Sequence, residues 1–278
     1  MLSLVLAILS SAMVSILMRL SETKIKNNIA MLVMNYLMCS LLAAGYAGAG
    51  SLVDLGPQLH LTAGMGVFNG VLYLVSFLLL QWNVRKNGVV LSSTFMKLGL
   101  LVTMVVSVVF YREIPDGGQL TGFALAVAAI VLINYRKEKT AAGYKPGLIW
   151  LLLCGGMADA MSKIFEESGV PGMGDPFLFF TFFAALGLCA ALMLLQGQQV
   201  GRWEALFGLL IGIPNFFSSK FLLRSLAEVP AVIAYPVYSV AGILVVTLAG
   251  VLLFQERLEK RQWAALGMIL AALALLNG

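Results

Sequence analysis

The chain has 278 residues, of which 60% are hydrophobic and 11% are charged, with a mean hydropathy of +0.95 and a formal net charge of +5. A soluble globular protein of this length could not bury so much apolar surface, so the composition predicts an integral membrane protein. The basic residues lie in short loops, which argues against a nucleic-acid-binding surface. The three cysteines have unrelated spacings, so neither a disulfide framework nor a metal site is predicted.

Ten apolar segments of about 20 residues, separated by short polar or Gly/Pro breaks, predict an all-α protein with ten transmembrane helices. The first segment has no basic region before it, and we interpret it as a span instead of a removable signal peptide. The predicted spans cover residues 2–20, 28–46, 61–82, 88–110, 118–135, 147–165, 176–196, 204–225, 230–254 and 261–277.

Lys and Arg residues are concentrated in alternate loops. Thirteen lie in or beside the loops after the odd-numbered predicted helices, whereas the other loops hold only Arg112, Lys163 and Arg224. Because positive loops stay on the cytoplasmic side, both termini are expected to face outside. We expect a multi-pass protein of the bacterial cytoplasmic membrane.

The second half of the chain repeats the first. Residues 99–134 align without a gap on residues 242–277, at an offset of 143. Five helices in each half is an odd number, so residues 1–140 and 141–278 are expected to form two five-helix repeats of inverted topology. The aligned pairs are Glu113 with Glu256, Gln119 with Gln262, and, more loosely, Gly66 with Gly208 and Gly70 with Gly212.

These features resemble the drug/metabolite transporter superfamily, above all its EamA-type branch, in which each half ends with Gly-Glu, a Leu-Thr pair, Gln and a Gly-containing helix. The chain departs from that pattern at Arg112 and Gln255, where Gly is usual, and at Ala265. The resemblance covers the whole chain and implies transport, but it leaves open amino acids, amines, sugars, nucleotide conjugates and drugs as substrates. The matching residues are Glu113, Gln119 and Gly122 in the first copy and Glu256, Leu258 and Gln262 in the second.

Charged residues inside the predicted spans are the strongest functional signal, because each costs about 2.5–3.5 kcal/mol in hydrocarbon. Lys97 has no acidic residue within one turn, so we expect it to face a cavity. Lys97 and Lys220 together would favour a substrate with a carboxylate or other anionic group. Glu113 and Glu256 are expected to form helix caps or gate ion pairs.

Asp159 is the only carboxylate deep in a predicted span, so it is the expected carrier if transport is coupled to a proton. Burial would favour its neutral form, whereas a neighbouring lysine would keep it ionised. Lys163 lies four residues later on the same helical face, so a structural ion pair between them is the alternative.

Polar and aromatic residues on the third, fourth, eighth and ninth predicted helices are expected to line a cavity, with the fifth and tenth helices outside it. Pro214 and Pro236 free backbone carbonyls in two of these helices, as is typical of transporter sites. Packing between helices is the alternative role for the Ser and Asn residues. The aromatic run at residues 177–183 is expected to face lipid or the outer membrane interface. The predicted substrate-binding residues are Asn69, Tyr73, Ser93, Lys97, Asp159, Asn215, Lys220, Tyr235 and Tyr238.

The sequence therefore predicts a secondary active transporter, more specifically an exporter, of small polar or amphipathic metabolites such as amino acids or related carboxylates. A multidrug or cationic-amine exporter is the alternative, although it would need more buried carboxylate than Asp159 supplies. An intramembrane enzyme is disfavoured, since no metalloprotease, serine-nucleophile or cofactor motif occurs. The expected partners are a small-molecule substrate and the lipid bilayer, together with a proton if transport is coupled to one. No nucleic acid, cofactor or required oligomer is expected.

Overall fold

The structure, a computed structural model, describes residues 1–53, 56–87, 89–134, 145–255 and 259–277. All regular structure in these residues is helical. The helices are α1 (Leu2–Ser21), α2 (Asn28–Ala47), α3 (Ala49–Val53), α4 (Pro57–Asn87), α5 (Val89–Lys97), α6 (Leu100–Tyr111), α7 (Gly117–Asn134), α8 (Lys145–Ser168), α9 (Gly174–Leu195), α10 (Arg202–Leu226), α11 (Ala231–Phe254) and α12 (Lys260–Asn277).

Every predicted span lies on a helix, with two differences. The third is longer than predicted, at Pro57–Asn87, and the fourth is interrupted between α5 and α6. Within the described residues, eight helical segments are long and apolar enough to cross a membrane when Leu91–Tyr111 is counted as one segment across this break, and Gly117–Ile133 is a shorter apolar helix. The all-helical membrane architecture is thus confirmed, whereas the count of ten spans stays a prediction.

The chain forms two compact units. Unit 1 contains Met1–Leu74 and Ile164–Ala227, and unit 2 contains Val75–Lys163 and Glu228–Gly278. Each unit therefore draws chain from both halves of the sequence repeat.

In unit 1, glycines allow two pairs of helices to approach closely. A Cβ atom on Gly70 would lie 2.5 Å from the carbonyl oxygen of Thr181 on α9, and one on Gly208 would lie 2.5 Å from that of Met31 on α2. Such contacts need a residue without a side chain. The glycines aligned in the repeat thus make the same kind of contact in both copies: Gly66 and Gly70 of α4 against α9, and Gly208 and Gly212 of α10 against α2.

The run at 177–183 was expected to face lipid or the outer membrane interface, and this is wrong for its buried residues Phe177, Leu178, Thr181 and Phe182. Phe177 and Phe182 are completely buried in unit 1, where Phe177 stacks on Phe165 with ring centres 4.2 Å apart. Phe183, by contrast, is exposed. The run presents one face to the core and another to the surface, as expected for a helix packed on one side.

In unit 2, α7 and α12 pack together around small and branched residues that include Ala126, Ile130, Ile269 and Ala272. At the break between α5 and α6, a Cβ atom on Gly99 would lie 2.9 Å from the Cα atom of Gly156. This contact holds the end of α5 against α8.

The repeated motif at the end of each half controls where helices stop. Arg112 and Gln255, the aligned residues at the C-terminal ends of α6 and α11, adopt left-handed backbone conformations with φ of 56° and 53°. This conformation favours glycine, which explains why glycine is usual at this position in the family that the sequence resembles.

The repeated glutamine of the motif is a helix cap. Gln119 Oε1 accepts a hydrogen bond from the Asp116 N–H at 3.1 Å, and Asp116 Oδ1 accepts one from the Gln119 N–H at 2.7 Å. Gln262 Oε1 likewise accepts from the Glu259 N–H at 2.9 Å. This is a capping box at the start of α7, with half of it repeated at α12, so the motif glutamines have a structural role.

The contact between α4 and α9 leads to a stability prediction. We expect Gly70→Val to lower the melting temperature of the detergent-solubilised protein, because overpacking against a backbone costs about 1–3 kcal/mol. Gly64→Val, on the same helix, is the matched control, since a Cβ atom there meets nothing within 4 Å. Equal melting temperatures for the two variants would show that the helices separate without cost.

Candidate functional site

The predicted substrate-binding residues are divided between the units. Unit 1 holds Asn69, Tyr73, Asn215 and Lys220, and unit 2 holds Ser93, Lys97, Asp159, Tyr235 and Tyr238.

Lys220 of unit 1 is an ion-paired residue. Its Nζ atom lies 2.6 Å from Asp175 Oδ1 and 3.7 Å from the centre of the Tyr46 ring. The carboxylate and the ring face both stabilise the ammonium. The positive charge of Lys220 is therefore balanced within unit 1, and the argument for an anionic substrate depends on Lys97.

The amide groups of unit 1 differ in their environments. Asn215 Nδ2 donates to Asn35 Oδ1 at 3.2 Å, a bond that joins α10 to α2 and fits a packing role. Asn69 is only 1% exposed, yet neither polar atom of its amide has a hydrogen-bond partner among the described residues. Because a buried polar group without a partner is costly, Asn69 is a position where a polar ligand or water would be stabilised. Tyr73 packs against the Phe182 ring.

Lys97 and Asp159 are the two predicted substrate-binding residues of unit 2 that have ionisable side chains of opposite sign. Both side chains are exposed, although each lies in a helical segment apolar enough to span a membrane. Neither forms an ion pair with any residue that the structure describes. Their charges are thus available to a third group.

The proposed alternative, an ion pair between Asp159 and Lys163, is not formed. Lys163 Nζ lies 2.8 Å from Glu113 Oε1 instead, and Glu113 Oε2 also accepts a hydrogen bond from the Val232 N–H at 3.1 Å. Glu113 is therefore a helix cap and an ion-pair partner, as expected from sequence. Its aligned residue, Glu256, lies outside the described residues.

Tyr235 connects α11 to α8 beside Asp159. Its hydroxyl group donates to the backbone carbonyl of Asp159 at 2.7 Å, and the residue is buried. Tyr238, on the next turn of α11, and Ser93, one turn before Lys97, are partly exposed. Unit 2 therefore has polar groups on α5, α8 and α11, of which Tyr235 contacts Asp159 directly.

One polar contact in unit 2 was missed by sequence reasoning. Asn83 is fully buried, and its Nδ2 atom donates to the Gly147 carbonyl oxygen of α8 at 2.9 Å. Asn83 follows the predicted lining residue Asn69 by 14 residues, close to four helical turns, so the same helical face could have been extended to it. Among the described residues, no group of three or more His, Cys, Asp or Glu side chains is placed to hold a metal ion.

Comparison with known proteins matches the two halves of the chain to two families. Residues 1–135 match the EamA-like transporter family, and residues 177–269 match the Small Multidrug Resistance protein family. These matches confirm the resemblance to the drug/metabolite transporter superfamily that was stated from the sequence.

A protein of Haemophilus influenzae, described as uncharacterized, is 24% identical over 211 residues, which is 73% of this chain and 72% of that protein. A solved crystal structure is similar with a TM-score of 0.77 and 14% identity, over 99% of this chain and 98% of that one. At this identity the likeness shows a shared fold.

The exposure of the two charges can be tested by labelling. In a cysteine-free background, we expect Lys97→Cys and Asp159→Cys to react rapidly with a water-soluble thiol reagent, because charged groups in spans face water-filled cavities. Ser92→Cys and Ala160→Cys, at completely buried neighbouring positions, are the controls and should react slowly. Slow labelling at all four positions would place Lys97 and Asp159 against lipid or protein.

Proposed function

We propose that the chain is a secondary active exporter of small metabolites that carry a carboxylate, such as amino acids, and that Lys97 and Asp159 bind the charged groups of the substrate. The observation that supports this most is the exposure of both side chains in apolar segments of one unit, with no ion pair to a described residue. Tyr235, which touches Asp159, is the adjoining aromatic residue.

The physical argument concerns the cost of charge in a membrane. An ammonium and a carboxylate that do not neutralise each other are stabilised by a ligand that carries the opposite charges. A zwitterion satisfies both, with its carboxylate at Lys97 and its ammonium group at Asp159. A simple organic cation would satisfy Asp159 but would be repelled by Lys97.

The architecture that we propose is ten spans in two inverted repeats, residues 1–140 and 141–278. The ungapped repeat, the paired glycine contacts of unit 1 and the repeated capping glutamine support it. The distribution of Lys and Arg supports cytoplasmic loops after the odd-numbered helices, with both termini outside. The proposed location is the bacterial cytoplasmic membrane, and the relative in Haemophilus influenzae supports a bacterial protein.

A multidrug or cationic-amine exporter is the second candidate function. The match of residues 177–269 to the Small Multidrug Resistance family favours it. In that case Asp159 would bind the cation, and Lys97 would not be required for transport.

Counterflow in liposomes distinguishes the two functions. Purified protein should exchange a labelled amino acid in a panel of amino acids, amines and sugars, and Lys97→Ala should reduce that flux at least tenfold because the carboxylate loses its partner. Lys97→Arg should retain part of it, and Lys86→Ala, an exposed lysine at the end of α4, should leave flux unchanged. Normal transport of cations by Lys97→Ala would support the second function instead.

Proton coupling assigns a separate role to Asp159. If Asp159 carries the proton instead of binding the ammonium group of the substrate, Asp159→Asn should still exchange substrate across the membrane but should lose accumulation driven by a pH gradient. Both rates are measured in the same liposomes, with and without the gradient. Gradient-driven accumulation that survives in Asp159→Asn would eliminate this role.

A further inference from the structure

We infer that Glu113 and Lys163 are positioning residues that lock the first turn of α11 onto α8, and that this turn opens at Pro236 during transport. The lock is a property of unit 2 alone. Its part in transport rests on the proposed function.

The Glu113 carboxylate joins three segments of unit 2. One oxygen contacts the Lys163 ammonium of α8 and the other accepts the Val232 N–H at the start of α11, at 2.8 and 3.1 Å. The side chains of Lys163 and Glu113 are 2% and 16% exposed, so neither charge is well screened by water. A carboxylate at a helix N-terminus is also stabilised by the helix dipole. The charge of Glu113 therefore strengthens both contacts.

The first turn of α11 is weakly joined to the rest of its helix. Pro236 lies inside α11 and has no N–H, so the carbonyl group of Val232 lacks its usual helical donor. Helices bend at such positions. The turn is nevertheless buried, with Ala231 and Val232 almost completely covered. Contacts outside α11 must therefore hold it in place.

Two of those contacts lead to one face of α8. Tyr235 donates to the carbonyl group of Asp159, and Glu113 links Val232 to Lys163. Asp159 and Lys163 are four residues apart and so share a helical face. Opening the turn would separate Tyr235 from Asp159, the residue that we propose to bind substrate. The lock thus controls access beside the binding residue.

The lock can be tested by labelling Val232→Cys with a membrane-impermeant maleimide, in a cysteine-free background and in nanodiscs. We expect slow labelling when Glu113 and Lys163 are present and at least tenfold faster labelling in Glu113→Gln, which keeps an oxygen for the Val232 N–H but loses the charge. Lys163→Met should have a similar effect. Glu259→Gln, which removes the charge from the exposed pair with Arg261, is the matched control.

The double variant Glu113→Gln/Lys163→Met shows whether the two residues act as one unit. It should be labelled no faster than Glu113→Gln alone, since Lys163 acts through the charge of Glu113. Unchanged labelling in both single variants, in protein that remains monodisperse, would overturn the lock. So would additive effects in the double variant.

A transport measurement separates the lock from the proposed substrate. Labelling needs no substrate, so it tests the lock even if the panel shows that the substrate is not a carboxylate. For whichever substrate the panel identifies, Glu113→Gln should change the maximal flux at least fivefold while its KM stays within twofold. Faster labelling with unchanged flux would show that the turn opens without a role in transport.

Discussion

The ends of the helices impose the main constraint on this structure, because unpaired backbone groups cost several kcal/mol wherever water is absent. At the N-terminal ends of α2 and α11, side chains meet that demand. Asn27 accepts hydrogen bonds from the first N–H groups of α2, and Glu204 of α10 accepts the Lys26 N–H at 2.9 Å. Glu113 does the same for α11. These carboxylates thus stabilise helix ends, and Asp159, which lies in mid-helix with an exposed side chain, stands apart from them.

The duplication retains packing and caps but not the charges of the proposed site. The glycines of α4 and α10 make equivalent contacts, and the left-handed residues Arg112 and Gln255 end equivalent helices. Lys97, however, aligns with Val240, which is completely buried. A valine cannot replace an ammonium group, so the two copies supply the same scaffold and only one supplies this charge. The repeat therefore explains the fold better than it explains the substrate.

The sequence predicted the helices well because hydropathy and helix breaks are local properties of a chain. Partners distant in sequence could not be predicted. Lys220 pairs with Asp175, 45 residues away, and the pair Lys163–Glu113 replaces the local pair that the spacing with Asp159 suggested. The repeated glutamine illustrates the same limit. The sequence shows that Gln119 and Gln262 recur, but only the structure shows that they accept hydrogen bonds from backbone N–H groups at the starts of helices. The fold therefore decides which charged side chains have an ion-pair partner. The proposed site depends on two that have none among the described residues, Lys97 and Asp159.

In the mechanism that we propose, substrate binding and opening of the first turn of α11 are linked through Asp159. The side chain of Asp159 is exposed, and its backbone carbonyl group accepts the hydrogen bond that anchors Tyr235. A substrate that binds Asp159 can shift the opening of the first turn of α11 only by as much as its affinities for the closed and open turns differ. A hundredfold difference corresponds to about 2.7 kcal/mol, which is comparable with the strength of one or two hydrogen bonds to charged groups. A substrate that binds the open turn a hundredfold more tightly than the closed one would therefore offset a preference of that size for the closed turn.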